Sequence, residues 1–176
     1  NETHQSNEIE ELLEETSTEP LFVTSSVNFH EHDCRYYLNE HRQYTCVLEN
    51  VDLVMSAING EHYGSYLDEN VTQLFFFNSI LSKVPPIIFQ IFPNLEFLSV
   101  ARTQLTIIND QTFSGCAKLR KIDASGNNIA RIVETSLKNC RELETIDVSG
   151  NPIEAVDGEI FHYDPQLKHI ILHRKF

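Results

Sequence analysis

An apolar residue returns every 24 positions through the second half of the chain. Five such positions start a common pattern, L-x-x-L-x-L-x-x-N-x-L, and they are Val71, Leu95, Leu119, Leu143 and Leu167. A second apolar column lies 18 positions after the first four starts, at Phe89, Phe113, Leu137 and Phe161. A fixed period of this length is typical of solenoids, in which every repeat packs against its neighbours. The period therefore predicts stacked coils over residues 71–176.

The repeated pattern resembles the leucine-rich-repeat family over residues 71–176. The resemblance implies an α/β-type solenoid of about five 24-residue turns, each with one short strand in a parallel concave sheet. It also places Asn127 and Asn151 at the family's asparagine position, where a side-chain amide satisfies backbone groups at the bend. Ser79 and Thr103 stand at that position in the first two turns.

Residues 29–70 precede the repeats and are predicted to form an N-terminal cap, since a solenoid exposes its core at each end. Cys34 and Cys46 lie twelve positions apart in this segment. That spacing predicts a disulfide that closes a small loop, with a stabilisation of about 3 kcal/mol on the chain-entropy model. Asn59-Gly60 predicts a hairpin turn. The segment resembles the amino-terminal cysteine caps of secreted repeat proteins in a reduced, two-cysteine form.

Two further cysteines lie within the repeats. Cys116 and Cys140 occupy the same column of adjacent turns, 24 positions apart. Stacked side chains of one column point in parallel, a geometry that disfavours a disulfide. We expect free, buried thiols here rather than the alternative, a bridge between the two turns.

Acidic residues are concentrated at the start of the chain. Residues 1–33 carry nine of the 26 acidic residues and none of the 13 basic ones, so the formal charge of −13 leaves only −4 for the rest. Phosphate binding needs a basic patch, which argues against nucleic acid as a partner. Residues 1–28 are predicted to be an acidic flexible arm with a small apolar stripe, Ile9, Leu12 and Leu13. The arm is either a solvated tail or a peptide that docks on a basic partner or on its own body.

Two triplets match the N-glycosylation acceptor pattern, Asn70-Val71-Thr72 and Asn1-Glu2-Thr3. Asn70 and Asn1 are therefore candidate glycan sites, and they favour a secreted, extracellular protein. The chain begins without Met or a charged-then-apolar leader. We expect that a signal peptide has been removed or lies outside this sequence. No run of 18 apolar residues is present to span a membrane.

The residues between the core positions of each strand face the concave surface, which is the usual docking face in the family. Phe75, Phe77 and Phe97 converge there at the amino-terminal end. Aromatic residues without a core role are over-represented at the centres of interfaces. The three rings are therefore either a contact patch for a protein partner or a surface that residues 51–68 or the arm cover.

Polar candidates for partner contacts on the same surface are Arg102, Asp123 and Asp147. The two carboxylates fall on neighbouring strands, about 5 Å apart at the strand spacing, and would suit a partner's Lys or Arg. No nucleophile or histidine joins them in the adjacent columns, and no phosphate loop or hydrolase motif is present. We therefore expect no enzyme activity, no metal site and no cofactor.

The sequence as a whole favours an extracellular recognition or scaffold protein that binds a protein partner on the concave face. Its reduced cap and small size resemble short secreted arthropod repeat proteins such as the leucine-rich immune proteins of mosquitoes, which implies an innate-immune role. One alternative is the amino-terminal ectodomain portion of a Toll-type cell-surface receptor. Another is a structural protein that self-associates through its last coil.

The fifth repeat stops at Phe176, within or just past its strand. A bare last coil would expose apolar core and an unpaired strand edge. Three explanations stay open. The natural chain continues, or Phe176 and its neighbours fold over as a minimal cap, or a second copy covers the end in a homodimer.

Overall fold

Each 24-residue period folds into one coil of a solenoid. The computed structural model describes residues 30–52, 55–81, 83–133, 135–156, 159–160 and 165–173. The predicted arm over residues 1–28, with the candidate glycan site Asn1, lies outside the described residues, and so does Phe176.

Short strands separated by turns make up most of the described elements. The strands are β1 (His30–Leu38), β2 (Tyr44–Glu49), β3 (Met55–Asn59), β4 (Gln73–Phe77), β5 (Phe97–Ser99), β6 (Lys121–Asp123), β7 (Arg131–Ile132), β8 (Thr145–Asp147), β9 (Ala155–Val156) and β10 (His169–Ile171). A 3₁₀ helix covers Asp68–Asn70, and a four-residue α-helix, α1, covers Ile88–Ile91.

Strands one coil apart pair in parallel and form the main sheet. Within the described ranges eight strands join in the order β10-β8-β6-β5-β4-β2-β1-β3. Paired residues of the repeat strands are 24 positions apart, and the first set is Gln73, Phe97, Lys121, Thr145 and His169. β7 and β9 pair in a small parallel sheet of the returning segments. The predicted solenoid of about five turns with a parallel sheet is confirmed.

The inward-facing strand residues build one continuous core. Leu74, Leu98, Ile122 and Ile146 are fully buried, one in each of four coils. A side chain of this kind contributes on the order of 1.5–3 kcal/mol by leaving water. The residues that start each repeat are buried as well: Val71, Leu95, Leu119, Leu143 and Leu167. The periodic apolar columns of the sequence are therefore the core of the protein.

The asparagine position satisfies backbone groups at the buried bend after the strand. The Asn127 Oδ1 atom accepts hydrogen bonds from the N–H groups of Thr103 at 2.9 Å and Leu105 at 3.0 Å. Its Nδ2 atom donates to the carbonyl oxygens of Val100 and Ala124, both at 2.9 Å. One side chain thus satisfies four backbone groups that have no water available, and the role predicted for this position is confirmed.

The early coils meet the same need with fewer bonds. Asn151 makes three of the equivalent bonds one coil later, accepting the Ile129 N–H and donating to the carbonyl oxygens of Ala124 and Val148. The Ser79 hydroxyl instead accepts from the Val51 N–H at 3.0 Å and donates to the Phe77 carbonyl at 2.9 Å. The Thr103 hydroxyl donates to the carbonyl three residues earlier at 2.8 Å.

The cap and the first coil share one sheet. β2 pairs in parallel with β4 and antiparallel to β1. The predicted disulfide between Cys34 and Cys46 is confirmed, with a Cα–Cα distance of 5.6 Å. Both sulfur-bearing residues are buried. The bridge therefore fixes β1 against the strand that continues the solenoid.

The hairpin predicted at Asn59-Gly60 is wrong. β3 ends at Asn59, but it pairs in parallel with β1 rather than with the segment that follows. Gly60 has a φ of 129°, and a Cβ atom there would lie 2.3 Å from the Cys34 carbonyl oxygen. The glycine permits the close approach of two backbone segments, which needs the same residue type as a hairpin turn.

A polar cluster ties the loop after β3 to the cap. The Tyr36 hydroxyl donates to Asp68 Oδ1 at 2.8 Å, and His62 Nε2 lies 3.3 Å from the same oxygen. His62 Nδ1 lies 3.1 Å from the Tyr44 hydroxyl, and the rings of Tyr36 and His62 stack with centroids 4.1 Å apart. Burial, followed by the hydrogen bond to Asp68, raises the pKa of Tyr36 well above its ordinary value. These contacts hold the loop where no hairpin forms.

The free thiols predicted at Cys116 and Cys140 are wrong, because the two residues form a disulfide. Their Cα atoms are 4.7 Å apart, which is the spacing of neighbouring coils and falls within the range that a disulfide spans. Both residues are 1% exposed. The short distance between coils, rather than the parallel direction of stacked side chains, decides that a disulfide forms.

Candidate functional site on the concave face

Outward-facing strand residues form straight rows across the sheet, and this outward surface is the concave face. One row contains Arg35, Val47, Phe75, Ser99, Asp123 and Asp147, in the order in which the strands pair. The next row contains Tyr37, Thr45, Gln73, Phe97, Lys121 and Thr145. Because the cap strands β1 and β2 continue both rows, the surface is wider than the repeats alone.

Phe75, Phe77 and Phe97, here called the Phe patch, lie where the cap meets the repeats. Phe75 and Phe97 are half-buried, and their rings meet edge to face with centroids 5.2 Å apart. Phe77, at the end of β4, is 64% exposed. Lys121 places its Nζ atom 5.6 Å from the centroid of the Phe97 ring. The structure thus brings the three predicted rings to one surface, with a cation beside them.

A groove of about 720 Å³ runs along Phe75 and Phe77, whereas Phe97 and Lys121 line a neighbouring hollow of about 510 Å³. Phe75 and Phe77 line it together with Tyr37 and Val47 from the cap and Arg102 from the next coil. Among the described residues of 51–68, none lines the groove. Sequence reasoning missed Tyr37 and Val47, although the alternation of Tyr44–Glu49 was a signal that a cap strand has an outward face.

Arg102 occupies the bend that follows the strand of its coil. Its φ is 58°, and the equivalent residues of the neighbouring coils, Asn78 and Gly126, also have left-handed backbones with φ of 47° and 66°. Its backbone N–H donates to the Ser125 carbonyl at 2.9 Å, so the strained backbone is held by the next coil. Its side chain lines the groove and also lies against the next coil, where a Cβ atom on Gly126 would be 3.0 Å from the Arg102 Cγ atom.

Asp123 and Asp147 pair directly across neighbouring strands, as expected. Each has an Oδ1 atom that accepts a backbone N–H two residues later, from Ser125 at 3.0 Å and from Ser149 at 2.9 Å. Asp123 Oδ2 also lies 3.4 Å from the Ser99 hydroxyl, which donates to it. The two carboxylates therefore close the turns after their strands, and only part of each faces solvent.

A row of alternating charges borders the concave face. Glu144 accepts hydrogen bonds from Lys168 Nζ at 2.8 Å and from Arg120 Nε at 3.1 Å. These bonds, from Lys168 first and then Arg120, lower the pKa of Glu144 from 4.5 to about 2. Glu96 precedes Arg120 by 24 positions, so the charges alternate in sign along the row. The row links coils at the edge of the site.

Asn70, the second candidate glycan site, is exposed at the end of the 3₁₀ helix. Its Oδ1 atom accepts the Leu67 N–H at 2.8 Å. It lies just before β4 begins, at the opposite end of that strand from Phe77.

No group of three or more His, Cys, Asp and Glu side chains in the described ranges is arranged to hold a metal ion. No helix of that part of the chain has the length and apolar character needed to cross a membrane.

The parallel sheet, its asparagine-lined bends and its apolar columns define a repeat solenoid. The sequence profile described as BspA type leucine rich repeat region matches residues 65–176 in six copies. The match covers more than half of the chain, and the chain belongs to the leucine-rich-repeat family. Members of this family are generally non-enzymatic protein-binding scaffolds.

Solved structures contain the same fold. A chain of the Toll–Spatzle complex, described as a molecular hub in Drosophila development and innate immunity, is 15% identical with a TM-score of 0.54, and the match covers 69% of this chain and 20% of that one. A chain of the LRIM1/APL1C complex is 17% identical with a TM-score of 0.51, over 83% of this chain and 32% of that one. The protein thus spans about a fifth to a third of the length of these relatives. No match was found among curated protein sequences.

Proposed function

We propose that the protein is an extracellular recognition protein that binds a protein partner on its concave face through the Phe patch. The groove of about 720 Å³ beside these rings carries the proposal. Phe77 is 64% exposed there, and an exposed ring beside half-buried ones is a feature of interface centres. The scaffold role general to the family supports binding rather than catalysis.

The charges around the groove support a partner of defined orientation. Arg35 and Glu49 pair at 2.8 Å on one side, and Arg102 and Asp123 line the other. Charged groups at the rim of an apolar centre fix the register of a complex more than they add affinity. Arg102, Asp123 and Asp147 are thus proposed as orienting contacts around the rings.

Affinity capture from native extracellular fluid tests the proposal. Wild-type protein should retain a partner that the double variant Phe75→Ser/Phe97→Ser loses at an unchanged melting temperature. Ile107→Ser is the matched control, because Ile107 is a 45% exposed apolar residue in a returning segment. A fall in melting temperature of the double variant would show that the rings serve the core. In that case Phe77→Ser is the variant to test for loss of the partner, since the Phe77 ring is mostly in solvent and its removal should not change the melting temperature.

We also propose an innate-immune setting for this recognition. The support is the shared fold of the Toll and LRIM1/APL1C chains together with the reduced cysteine cap. The amount of captured partner should rise or change after bacterial challenge of the source organism. An identical set of captured proteins before and after challenge would argue against this setting.

Secretion and glycosylation are part of the proposal. Two disulfides favour an oxidising compartment, and Asn70 is exposed. Protein secreted from insect cells should lose mass on treatment with an N-glycosidase, and Asn70→Gln should abolish that loss. Retention of the full loss in Asn70→Gln would place the glycan elsewhere.

Self-association through the last coil is a second candidate function. Leu172 is 49% exposed beside Ile153 and Val156, in a hollow of about 160 Å³. Light scattering should then give a dimer mass that Leu172→Ser reduces to a monomer. A strict monomer at all concentrations would exclude this candidate.

The alternative that the chain is part of a Toll-type receptor has a test of its own. It requires a membrane-spanning segment in the full-length gene product.

A further inference from the structure

We infer that the Phe patch also takes the chain's own acidic arm, with residues 8–15 docked between Arg102 and Lys121. An external partner then competes with the arm for the same surface, so that the arm acts as an intramolecular competitor. The inference rests on the proposed function for its surface, but it concerns contacts within one chain.

The first support is a pair of cations without carboxylate partners. Among the described residues, neither Arg102 nor Lys121 takes part in an ion pair, and both are exposed. Lys121 lies instead over the Phe97 ring, with Nζ 5.6 Å from its centroid. Both cations border the apolar rings, so an acidic segment with apolar side chains would complement the surface.

The anionic groups of the groove are already bonded. Glu49 pairs with Arg35 at 2.8 Å, and it is therefore neutralised by its own neighbour. The Asp123 carboxylate accepts the Ser125 N–H at 3.0 Å and lies 3.4 Å from the Ser99 hydroxyl. Arg102 is a cation of the groove that has no ion pair among the described residues, and it lies beside exposed aromatic surface.

The arm carries the matching chemistry in one short stretch. Residues 8–15 read EIEELLEE and contain five glutamates without a Lys or Arg. Ile9, Leu12 and Leu13 have the i, i+3, i+4 spacing that places apolar side chains on one face of a helix, with glutamates around them. Apolar residues would meet the rings while flanking carboxylates meet Arg102 and Lys121.

The point where the arm joins the sheet allows this contact. β1 runs antiparallel to β2, so its start at His30 lies at the same end of the sheet as Phe77 and Arg102. The distance across the sheet from β1 to β5 is three strand spacings, or about 14 Å. Residues 16–29 form a tether that extends to at most about 48 Å. The tether is therefore long enough to place residues 8–15 on the Phe patch.

Zero-length carbodiimide cross-linking of the full chain tests the inference, because this reagent joins a carboxylate to an amine in direct contact. Mass spectrometry of the monomer should find Lys121 joined to a glutamate within residues 8–15. The variant Ile9→Ser/Leu12→Ser/Leu13→Ser should lower that product about tenfold or more, since it removes the apolar contact. Phe77→Ser should lower it too, without a change in melting temperature.

Two internal controls accompany the measurement. Leu21→Ser/Val23→Ser removes apolar residues of the arm outside the docking stretch and should leave the Lys121 product unchanged. Lys83, exposed in a returning segment, should give little product with the arm. Equal products at Lys83, Lys121 and Lys138, or none at Lys121, would overturn the inference.

Mixing labelled and unlabelled protein separates the other occupants. A Lys121 product that joins two isotopic forms would overturn docking within one chain and support a second copy on the patch. The cross-link needs no external partner, so it can succeed while partner capture fails. In that case the docked arm stands and the proposed function falls. If a partner is captured but no Lys121 cross-link to the arm forms, the patch is a partner site and the arm does not dock on it.

Discussion

The two halves of the concave face have the same scaffold and different surfaces. In the amino-terminal half, β4 and β5 present Phe75, Phe77 and Phe97. In the carboxyl-terminal half, the equivalent positions of β6 and β8 carry Lys121 and Thr145 in one row and Asp123 and Asp147 in the next. The first buried position of each strand is Leu or Ile in both halves: Leu74, Leu98, Ile122 and Ile146. The aromatic residues of the outward rows are therefore concentrated beside the cap.

The halves also differ in how they close the bend after the strand. The carboxyl-terminal half uses Asn127 and Asn151, each bonded to several backbone groups. The amino-terminal half uses Ser79 and Thr103, whose hydroxyls make one or two bonds each. The more strongly bonded half is thus the half without the aromatic patch.

The largest effect should come from breaking the bend in the strongly bonded half. Asn127→Leu removes the acceptor of the buried N–H groups of Thr103 and Leu105 and one of the two donors to the Val100 and Ala124 carbonyls, and it should lower the free energy of unfolding by about 4 kcal/mol. Thr103→Val removes the hydroxyl that donates to the Val100 carbonyl at 2.8 Å and contacts Asn127 Oδ1 at 3.3 Å, and it should cost about 1 kcal/mol. Urea unfolding of the two variants measures both values. Equal costs would contradict the difference between the halves.

The disulfide between Cys116 and Cys140 should have the next largest effect. It joins two adjacent coils, and the double variant Cys116→Ala/Cys140→Ala should be less stable by about 3 kcal/mol on the chain-entropy model. Mass spectrometry of alkylated, unreduced protein should find no free thiol in the wild type. Two alkylated cysteines per chain would restore the expectation of free thiols.

Two surface variants, one in each half, test whether the outward residues of the two halves contribute differently to the stability of the fold. Asp123→Ala removes the acceptor of the Ser125 N–H and should cost about 1 kcal/mol of stability. Phe77→Ser should change stability by no more than about 0.5 kcal/mol because the ring is largely in solvent. Thermal melts compare the two directly. A larger cost for Phe77→Ser would assign that ring to the core.

The smallest effect concerns pH and the charged row. The pKa of Glu144 is about 2 in the folded protein and 4.5 ordinarily, so its ion pairs stabilise the fold above pH 4.5. This stabilisation declines as the pH falls from 4.5 toward 2. The difference in melting temperature between wild type and Glu144→Gln should therefore shrink to nothing over that range. Glu154→Gln, at an exposed carboxylate, is the control and should follow the wild type throughout.

The sequence alone predicted the parts of the fold that repeat. Spacing by 24 located the core columns, the strand register and the asparagine bends, because each coil solves the same packing problem as its neighbours. It also placed Phe75, Phe77 and Phe97 on one surface, since outward positions follow from the same register. The use of that surface stays a prediction.

What the sequence did not predict depends on contacts that occur once. The cap has no period, so the parallel pairing of β3 with β1 and the cluster of Tyr36, His62 and Asp68 had no signal in the pattern. Asn59-Gly60 suggested a hairpin because a glycine for close approach and a glycine for a turn look alike in a sequence. The bridge between Cys116 and Cys140 depends on a coil spacing of 4.7 Å between Cα atoms, which a period in sequence does not supply.

The row of alternating charges has a consequence for how nearly identical coils find their correct neighbours. Glu96, Arg120, Glu144 and Lys168 follow one another at intervals of one coil. If a coil were skipped, Glu96 would meet Glu144 and Arg120 would meet Lys168, and like charges at strand spacing repel. The alternating charges therefore favour the native order of coils during folding. Only in that order do the charged side chains of every two neighbouring coils attract each other.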